Sequence, residues 1–250
     1  MKTPSYFRRA ALSIVPTTLL LAACSKSDTP APAPAVDQGK VLISHAAAAA
    51  NTQITAFAND QQVGQLNYGQ STGYSNVNAG GATIRINNGS TVVSTQTVAV
   101  AKDQSYSVFA YSPTATIGSA ALLTVPDDLT VPAAGTAKVR LVHLGVGATT
   151  PVRLSIPSVT PGGNPTDLTP DVAFAGYSGF ILVNAGSPNL IITSTVAPRT
   201  QVAAVGDGTG SGTGTKAFES GKIYTIVLRG IAGTAVPQAQ QVQAVIIANN

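Results

Sequence analysis

The strongest constraint on the fold of this 250-residue chain is an internal repeat. Each copy begins with Lys-Val and has a histidine five residues after the lysine. Further along, each copy has the sequence Val-Asn-Ala-Gly, typical of a turn, and then a short segment that begins with tyrosine. The matching segments are 40–45 with 138–143, 77–80 with 183–186, and 106–108 with 224–226. Their offsets grow from 98 to 106 to 118 residues. The second copy therefore holds two insertions, which fall in the Pro- and Gly-rich stretches 157–165 and 206–214.

Short segments rich in β-branched residues fill both copies and predict strands. Each is bounded by Gly, Asn, Asp or Pro, and Ile84 and Ile86 alternate with polar neighbours, as in a strand with one buried face. The clearest segments of the first copy are 40–45, 53–58, 82–86, 91–98 and 106–111. After Cys24 no stretch shows a sustained 3.6-residue apolar period, and the alanine run 46–50 is too short to nucleate a helix.

We therefore expect an all-β protein with two tandem Ig-like or fibronectin-type antiparallel β-sandwich domains of about seven strands each. The first domain is predicted over 40–126 and the second over 138–250. The linker 127–137 combines acidic and small residues with a proline, and its short length limits how freely the domains can swing.

The N-terminus has the features of an export signal. Lys2, Arg8 and Arg9 precede an apolar run that ends in Leu-Ala-Ala-Cys24, the pattern of a bacterial lipobox. We expect a lipoprotein signal peptide over 1–23 and lipidation of Cys24; an ordinary signal peptide with an incidental cysteine is the alternative. Residues 24–39 are rich in Pro and Ala, and such an extended tether spans about 45 Å at about 3 Å per residue.

Charge and cysteine content exclude several classes of function. Removing 1–23 takes away three of the 14 basic residues, so the mature chain carries 11 basic against 10 acidic groups, and no basic run remains. Nucleic-acid binding is therefore not expected, because it needs a basic patch. The single cysteine allows neither a disulfide within the chain nor a cysteine-based metal site. We expect no cofactor.

His45 and His143 are the only histidines, and they occupy equivalent positions in the two copies. A metal site or acid–base pair is the functional alternative, but one histidine per domain cannot hold zinc without further ligands. We expect a structural role instead, in which each histidine at a strand end bonds to a neighbouring backbone group.

Two further sets of residues carry groups that could take part in chemistry. Asp127 and Asp128 are adjacent carboxylates that could join a Ca²⁺ site at the linker, but turn capping is the expected role, since calcium requires six or more oxygens. The stretch 176–179 lacks the second glycine of a serine-hydrolase elbow. Neither set predicts catalysis.

The tyrosines of the repeat predict corner contacts. Gly221-Lys-Ile-Tyr224 resembles the turn before a strand in fibronectin-type domains, where the phenol bonds back to the chain, and Tyr106 occupies the same place in the first copy. Most other aromatic residues occur in repeat-equivalent pairs and are expected in the core. Tyr177 and Phe218 have no such partner and could be exposed, which is weak support for sugar stacking.

The two copies together resemble the bacterial family known as domain of unknown function 4397, over residues 40–250. The resemblance rests on a Val-rich strand ending in histidine, an aromatic residue before a Val-x-Ala-Gly turn, and the segment that closes the first unit. The matching residues are 41–45, Tyr74, 77–80, 124–128 and 138–143. The chain differs from the usual pattern after each histidine, where 46–50 and 144–147 replace Ser-Pro-Asp. The resemblance implies architecture and location but no mechanism.

Together these features predict a non-catalytic, lipid-anchored cell-envelope protein that serves as a structural or adhesive module through protein contacts. Its expected partners are the membrane, through the lipid, and envelope or surface proteins. Ser25 after the cysteine predicts sorting to the outer membrane of a Gram-negative bacterium. The alternative function is a carbohydrate-binding accessory lipoprotein of a polysaccharide-handling system. An enzyme is disfavoured, because the sequence contains no cluster of titratable residues.

Overall fold

β-Strands dominate the structure, a computed structural model that describes residues 36–50, 52–205, 217–233 and 235–250. The only helical elements in these ranges are two 3₁₀ turns, η1 (Ala48–Ala50) and η2 (Gln238–Gln240). The expectation of an all-β sandwich fold is confirmed. No helix in these ranges is long and apolar enough to span a membrane.

The first repeat contains eight strands in two sheets. The strands are β1 (Gln38–Ala46), β2 (Ile54–Ala58), β3 (Gln61–Leu66), β4 (Ser75–Asn78), β5 (Gly80–Asn88), β6 (Thr91–Val100), β7 (Ser105–Tyr111) and β8 (Ala121–Asp127). Sheet A has the order β4-β1-β7-β8, and sheet B has the order β3-β2-β5-β6.

The second repeat repeats this arrangement. Its strands are β9 (Thr136–Val146), β10 (Val152–Ile156), β11 (Thr166–Asp167), β12 (Gly176–Tyr177), β13 (Ile181–Asn184), β14 (Ile191–Ser194), β15 (Gln201–Ala204), β16 (Ile223–Ile231) and β17 (Gln243–Ala248). Sheet C has the order β12-β9-β16-β17, with β13 also paired to β9, and sheet D has the order β11-β10-β14-β15.

Two strand pairs are parallel, a detail that differs from the expected all-antiparallel sheets. β1 runs parallel to β7, and β9 runs parallel to β16, whereas the other pairs between the named strands are antiparallel. Between β1 and β7 the chain forms sheet B and the edge strand β4, and between β9 and β16 it forms sheet D together with β12 and β13. It then returns beside its first strand in the same direction. The apolar pattern of a strand shows which face is buried but not the direction of its neighbour.

Strand register supports the repeat at the level of single residues. Val41 pairs with Tyr106 in sheet A, and Val139 pairs with Tyr224 in sheet C. In the next strand, Pro126 lies opposite Tyr106 just as Ala248 lies opposite Tyr224. β8 is therefore equivalent to β17 at an offset of 122 residues, which makes Asp127 the counterpart of Asn249.

The described residues form four hydrophobic clusters, and three of them pack sheet against sheet. One core lies between sheets A and B and a second between sheets C and D. A third joins sheet A to sheet C, with Phe109 and Val227 among its fully buried members. Sheets A and C are thus buried on both faces, which explains why all nine residues of β16 are buried.

The two repeats consequently pack against each other, and residues Val36–Asn250 form one compact unit. The chain passes from β8 to β9 through residues 128–135, inside the predicted linker 127–137. The predicted domain boundaries remain a sequence-based division of this unit.

Candidate functional site

A buried ion pair lies where the two repeats meet. Asp127, at the end of β8, and Arg140, in β9, contact each other through Oδ1 and Nη2, with side chains 0% and 1% exposed. Arg140 also donates from Nη1 to the Pro126 carbonyl at 2.8 Å and from Nε to Thr225 Oγ1 at 2.9 Å. These partners offset the several kcal/mol that are lost when a charge leaves water.

Tyr74 links the carboxylate of Asp127 to the end of the second repeat. Its hydroxyl donates to Asp127 Oδ2 at 2.6 Å and accepts from Asn249 Nδ2 at 3.0 Å. Burial raises the pKa of Tyr74, and the negative charge of Asp127 raises it further, so the phenol stays protonated. Ser107 Oγ donates to the same carboxylate oxygen at 2.8 Å.

We call these interlinked side chains the joint cluster. Its members come from both repeats and are Tyr74, Ser107, Asp127, Arg140, Phe180, Thr225 and Asn249. The ring of Phe180 lies 4.6 Å from the guanidinium carbon of Arg140. Arg140 is equivalent to Leu42 of the first repeat, so the cation is present on one side only. The cluster is a fully connected polar network inside an otherwise apolar layer.

A cleft of about 670 Å³ opens over the joint cluster. Tyr177 stands on one wall and is 44% exposed, while Asp103, Gln104 and Asp128 bring polar groups to the lining. Within the described ranges, no three His, Cys, Asp or Glu side chains lie together as a metal site requires. An aromatic face beside carboxylate and amide groups can bind a neutral, hydroxyl-rich ligand.

The adjacent aspartates have different roles. Asp128 does cap a turn: its Oδ1 accepts from the Thr130 amide at 3.0 Å, and Lys138 Nζ donates to Oδ2 at 2.6 Å. The bond from Lys138 is the main reason that the pKa of Asp128 falls to about 2. Turn capping was the wrong expectation for Asp127, because β8 continues to this residue and turns its side chain between sheets A and C.

Both histidines are buried at strand ends and lie in separate repeats. His45 Nε2 lies 3.0 Å from the Thr52 carbonyl oxygen, and its Nδ1 accepts from the Ala47 amide at 3.3 Å. His143 Nδ1 accepts from the Gly145 amide at 3.3 Å, while its Nε2 has no regular hydrogen bond in the described ranges. Burial lowers the pKa of both rings, that of His143 to about 4. The structure does not bring the two histidines together.

At the end of the sheets where His45 and His143 lie, side chains of each repeat contact the other repeat. Tyr111 of the first repeat packs edge-on against Phe174 of the second, with ring centres 6.0 Å apart. Arg229 of the second repeat lies 4.4 Å from the ring centre of Tyr68 in the first. Tyr111 is equivalent to Arg229, and Tyr68 to Phe174, so each repeat offers the same two positions to the other. This is the arrangement of a two-fold symmetric dimer, within one chain.

The two repeat tyrosines make equivalent bonds back to the chain. The hydroxyl of Tyr106 accepts from the Ala101 amide at 3.2 Å, and that of Tyr224 accepts from the Glu219 amide at 3.1 Å. Both bonds span five residues, as a tyrosine corner requires. These tyrosines therefore fix the start of β7 and β16.

The unpaired aromatic residues behave differently from each other. Tyr177 is exposed, but Phe218 is 2% exposed and packs on Tyr224 with ring centres 5.2 Å apart. The expectation that Phe218 could be exposed is therefore wrong. Ser178 is buried and bonded to the chain: it accepts from the Leu141 amide and donates to the Gly179 carbonyl, both at 2.9 Å.

Sequence reasoning missed Arg140 as the centre of the joint cluster. The available signal was a charged residue inside an apolar strand, at a position where the first repeat has Leu42. Cys24, the predicted lipidation site, lies outside the described residues, as do the signal peptide and most of the tether.

Comparison with known families supports part of the predicted resemblance. Residues 39–150 match DUF4397, a domain of unknown function. The DUF4397 match covers all eight strands of the first repeat and β9 of the second, so it includes both partners of the Asp127–Arg140 pair.

No curated protein matches the chain. Among solved structures, a candidate cell adhesion protein from Parabacteroides distasonis aligns at 8% identity and a TM-score of 0.22, over 86% of this chain and 100% of its own. A leucine-rich repeat protein from Bacteroides thetaiotaomicron aligns at 13% identity and a TM-score of 0.19, over 83% of this chain and 27% of its own. At such TM-scores neither likeness bears on the fold or function of this chain.

Proposed function

We propose that this chain is a lipid-anchored protein of the bacterial cell envelope whose paired β-sandwiches act as a non-catalytic binding module through protein contacts. One observation carries the proposal: the side chains best suited to chemistry are turned inward. His45, His143, Asp127 and Arg140 are all at most a few per cent exposed and serve the packing of the repeats. Strand edges and loops remain as the surface for partners.

Sheet edges support contact with proteins. β6, the outer strand of sheet B, is ten residues long and carries no charged residue, and its Val92 is 53% exposed. An edge strand of this kind can accept a further strand from a partner, whose backbone then supplies the hydrogen bonds. The envelope or surface proteins expected from the sequence are suitable partners.

The anchor is tested in the producing bacterium. Cys24→Ser, or the lipoprotein signal peptidase inhibitor globomycin, is expected to block processing and to change both the size of the chain and its membrane fractionation. Unchanged size and fractionation would refute the anchor. If the wild type is on the outer membrane surface, protease added to intact cells will remove it, while a periplasmic control protein survives.

Protein contact is tested separately, with a membrane-impermeant cross-linker on intact cells. The anchored wild type is expected to form adducts with other envelope proteins. Introducing a charge at the edge with Val92→Lys should reduce these adducts, whereas Leu182→Lys, at a site 61% exposed in β13, should not. Wild-type protein without any adduct at the cell surface would contradict the adhesive role.

The carbohydrate-binding alternative is favoured by one feature, the exposed ring of Tyr177 in the cleft beside Asp103 and Asp128. Aromatic faces next to planar polar groups suit sugar rings. On a glycan array, binding that is lost in Tyr177→Ala and kept in Leu182→Ala would support this function. Absence of binding to any glycan by the wild type would exclude it over the glycans presented.

A further inference from the structure

An apolar pocket of about 450 Å³ lies at the end of the first sandwich where β1 finishes. β1 runs from Gln38 to Ala46, so its nine residues separate the two ends of the sandwich by about 27 Å. The pocket lining includes Ala48, Ile86 and Ala110 of the first repeat and Ile231 of the second. The site is thus built by both repeats and is distinct from the cleft over the joint cluster.

Small side chains create this pocket, as the second repeat demonstrates. Ala110 pairs with His45, and the equivalent residue Leu228 pairs with His143. Ala48 similarly corresponds to Val146 at the offset of β1 and β9. The first repeat therefore has a single methyl group at two positions where the second repeat has a larger apolar side chain. The larger side chains of the second repeat fill the equivalent space there, as close packing normally requires.

The described part of the lining carries no formal charge. Among its described residues there is no Asp, Glu, Lys or Arg, and His45 is the only titratable one. Both ring nitrogens of His45 are engaged by the chain, with the Thr52 carbonyl and the Ala47 amide. Burial lowers the pKa of His45, so the ring is neutral at pH 7. The positive charge of Arg229, which is not a lining residue, also lowers the pKa of His45. The described lining itself offers a charged ligand no counter-ion in exchange for its lost hydration.

A backbone hydrogen bond braces one wall, whereas the rim offers hydrogen-bonding groups that are unused within the described residues. The Gly118 amide donates to the Ala49 carbonyl at 3.0 Å, which ties the β7–β8 loop to η1. At the rim, the side-chain amides of Asn88 and Gln240 make no hydrogen bond in the described part of the chain. Ile117 also stands there and is 94% exposed, an apolar surface that an occupant would shield.

We infer that this pocket binds a small uncharged amphiphile, with its apolar body among the alanine and isoleucine side chains and a hydroxyl or amide head at Asn88 and Gln240. The volume lies within the range of small-molecule sites, which are mostly apolar with a few polar groups that orient the ligand. The inference concerns this pocket alone and does not depend on adhesion or on the lipid anchor.

Binding is tested on the chain from Ser25 onward, which retains the whole unit Val36–Asn250 and carries no lipid. The uncharged fluorophore N-phenyl-1-naphthylamine is expected to bind with a saturable rise in emission. At pH 8, 1-decanol should displace it at concentrations at least tenfold lower than decanoate, which has the same chain length and a charged head. Absence of saturable binding, or equal displacement by the two compounds, would overturn the inference.

Two variants locate the site. Ala110→Leu copies the residue of the second repeat into the pocket, and Ala120→Trp fills it from a partly exposed position that tolerates a larger side chain. Each should weaken probe binding at least tenfold, while Ala134→Trp, at an exposed position in the β8–β9 loop, should leave it unchanged. If the filled variants fold and bind as tightly as the wild type, the probe is elsewhere and the assignment is wrong. A pocket that accepts only a side chain of a partner protein would leave the probe unbound in every variant.

Discussion

Asp127 and Arg140 form an ion pair across the short loop that joins the two repeats, and neither side chain is in contact with solvent. The pair lies between sheets A and C, so it belongs to neither sandwich alone. Its hydrogen bonds extend through Tyr74 to Asn249 near the C-terminus. The joint cluster therefore couples the stability of one repeat to the presence of the other.

Asp127→Asn is expected to lower the free energy of unfolding by about 3–5 kcal/mol, because it leaves the buried guanidinium of Arg140 without a counter-charge. Asp128→Asn is the matched control: its side chain is 58% exposed, and its pairing with Lys138 contributes less than about 1 kcal/mol. Urea denaturation of both variants measures the difference. Equal midpoints would show that the buried pair has no special role.

Substitution by methionine should affect the two buried arginines of the described ranges, Arg140 and Arg229, to very different extents. Arg140→Met leaves the buried carboxylate of Asp127 without a counter-charge and should destabilise the fold by about 3–5 kcal/mol. Arg229 is 8% exposed, its Nε lacks a hydrogen bond in the described ranges, and its guanidinium contacts only the ring of Tyr68 among charged or aromatic groups there. Because burial penalises the cation, Arg229→Met should change stability by no more than about 1 kcal/mol. A large loss for Arg229→Met would indicate a counter-ion for this residue.

Removing the corner hydroxyls should weaken both repeats. Tyr224→Phe deprives the Glu219 amide of its acceptor at a partly buried site and is expected to lower stability by about 1–2 kcal/mol. Tyr106→Phe should have a smaller effect, about 0.5–1 kcal/mol, because its bond to Ala101 is exposed. Tyr177→Phe, which removes an exposed hydroxyl, serves as control in the same thermal-unfolding series. A control loss as large as that of Tyr224→Phe would argue against the corner role.

Stability should decline in mild acid because of His143. Its pKa is about 4 in the folded chain and 6.5 without burial, so above pH 6.5 the ring is neutral in both states and contributes no pH dependence. As the pH falls from 6.5 towards 4, the unfolded chain takes up a proton that the folded chain refuses. Between pH 7.5 and 5 this lowers the free energy of unfolding by about 2 kcal/mol.

His143→Asn tests this origin, because its side-chain oxygen can still accept from the Gly145 amide but does not titrate. The variant should lose about 2 kcal/mol of the difference between pH 7.5 and pH 5, as measured by urea denaturation at the two pH values. The contribution of His45, whose pKa is also lowered, remains in both proteins and cancels in the comparison. An unchanged pH dependence would place the effect on other groups.

Much of the fold follows from local pattern. The predicted strand at 91–98 is observed as Thr91–Val100, and that at 106–111 as Ser105–Tyr111. β-Branched alternation between turn residues identifies such segments because it reflects one buried face. It does not determine the neighbour of each strand, so the parallel pairing of β1 with β7 was not predicted.

The candidate site was harder to predict because its chemistry depends on contacts distant in sequence. The adjacent carboxylates of Asp127 and Asp128 at the linker predict turn capping, whereas the partners of Asp127 include Tyr74, 53 residues earlier. The pocket at Ala110 was equally hidden, because alanine is unremarkable in a strand. Only the strand register shows that the side chain at this position is unusually small, because it makes Ala110 the equivalent of Leu228 in the second repeat.

The two-fold arrangement of the repeats has a consequence for the charged residues that lie where the repeats meet. Two separate identical chains docked in the same way would carry each residue twice, with two arginines and two carboxylates enclosed around one axis. Covalent fusion removes that requirement: position 42 is leucine where position 140 is arginine, and position 249 is asparagine where position 127 is aspartate. The halves have become complementary instead of interchangeable, so neither could substitute for the other in the assembled protein.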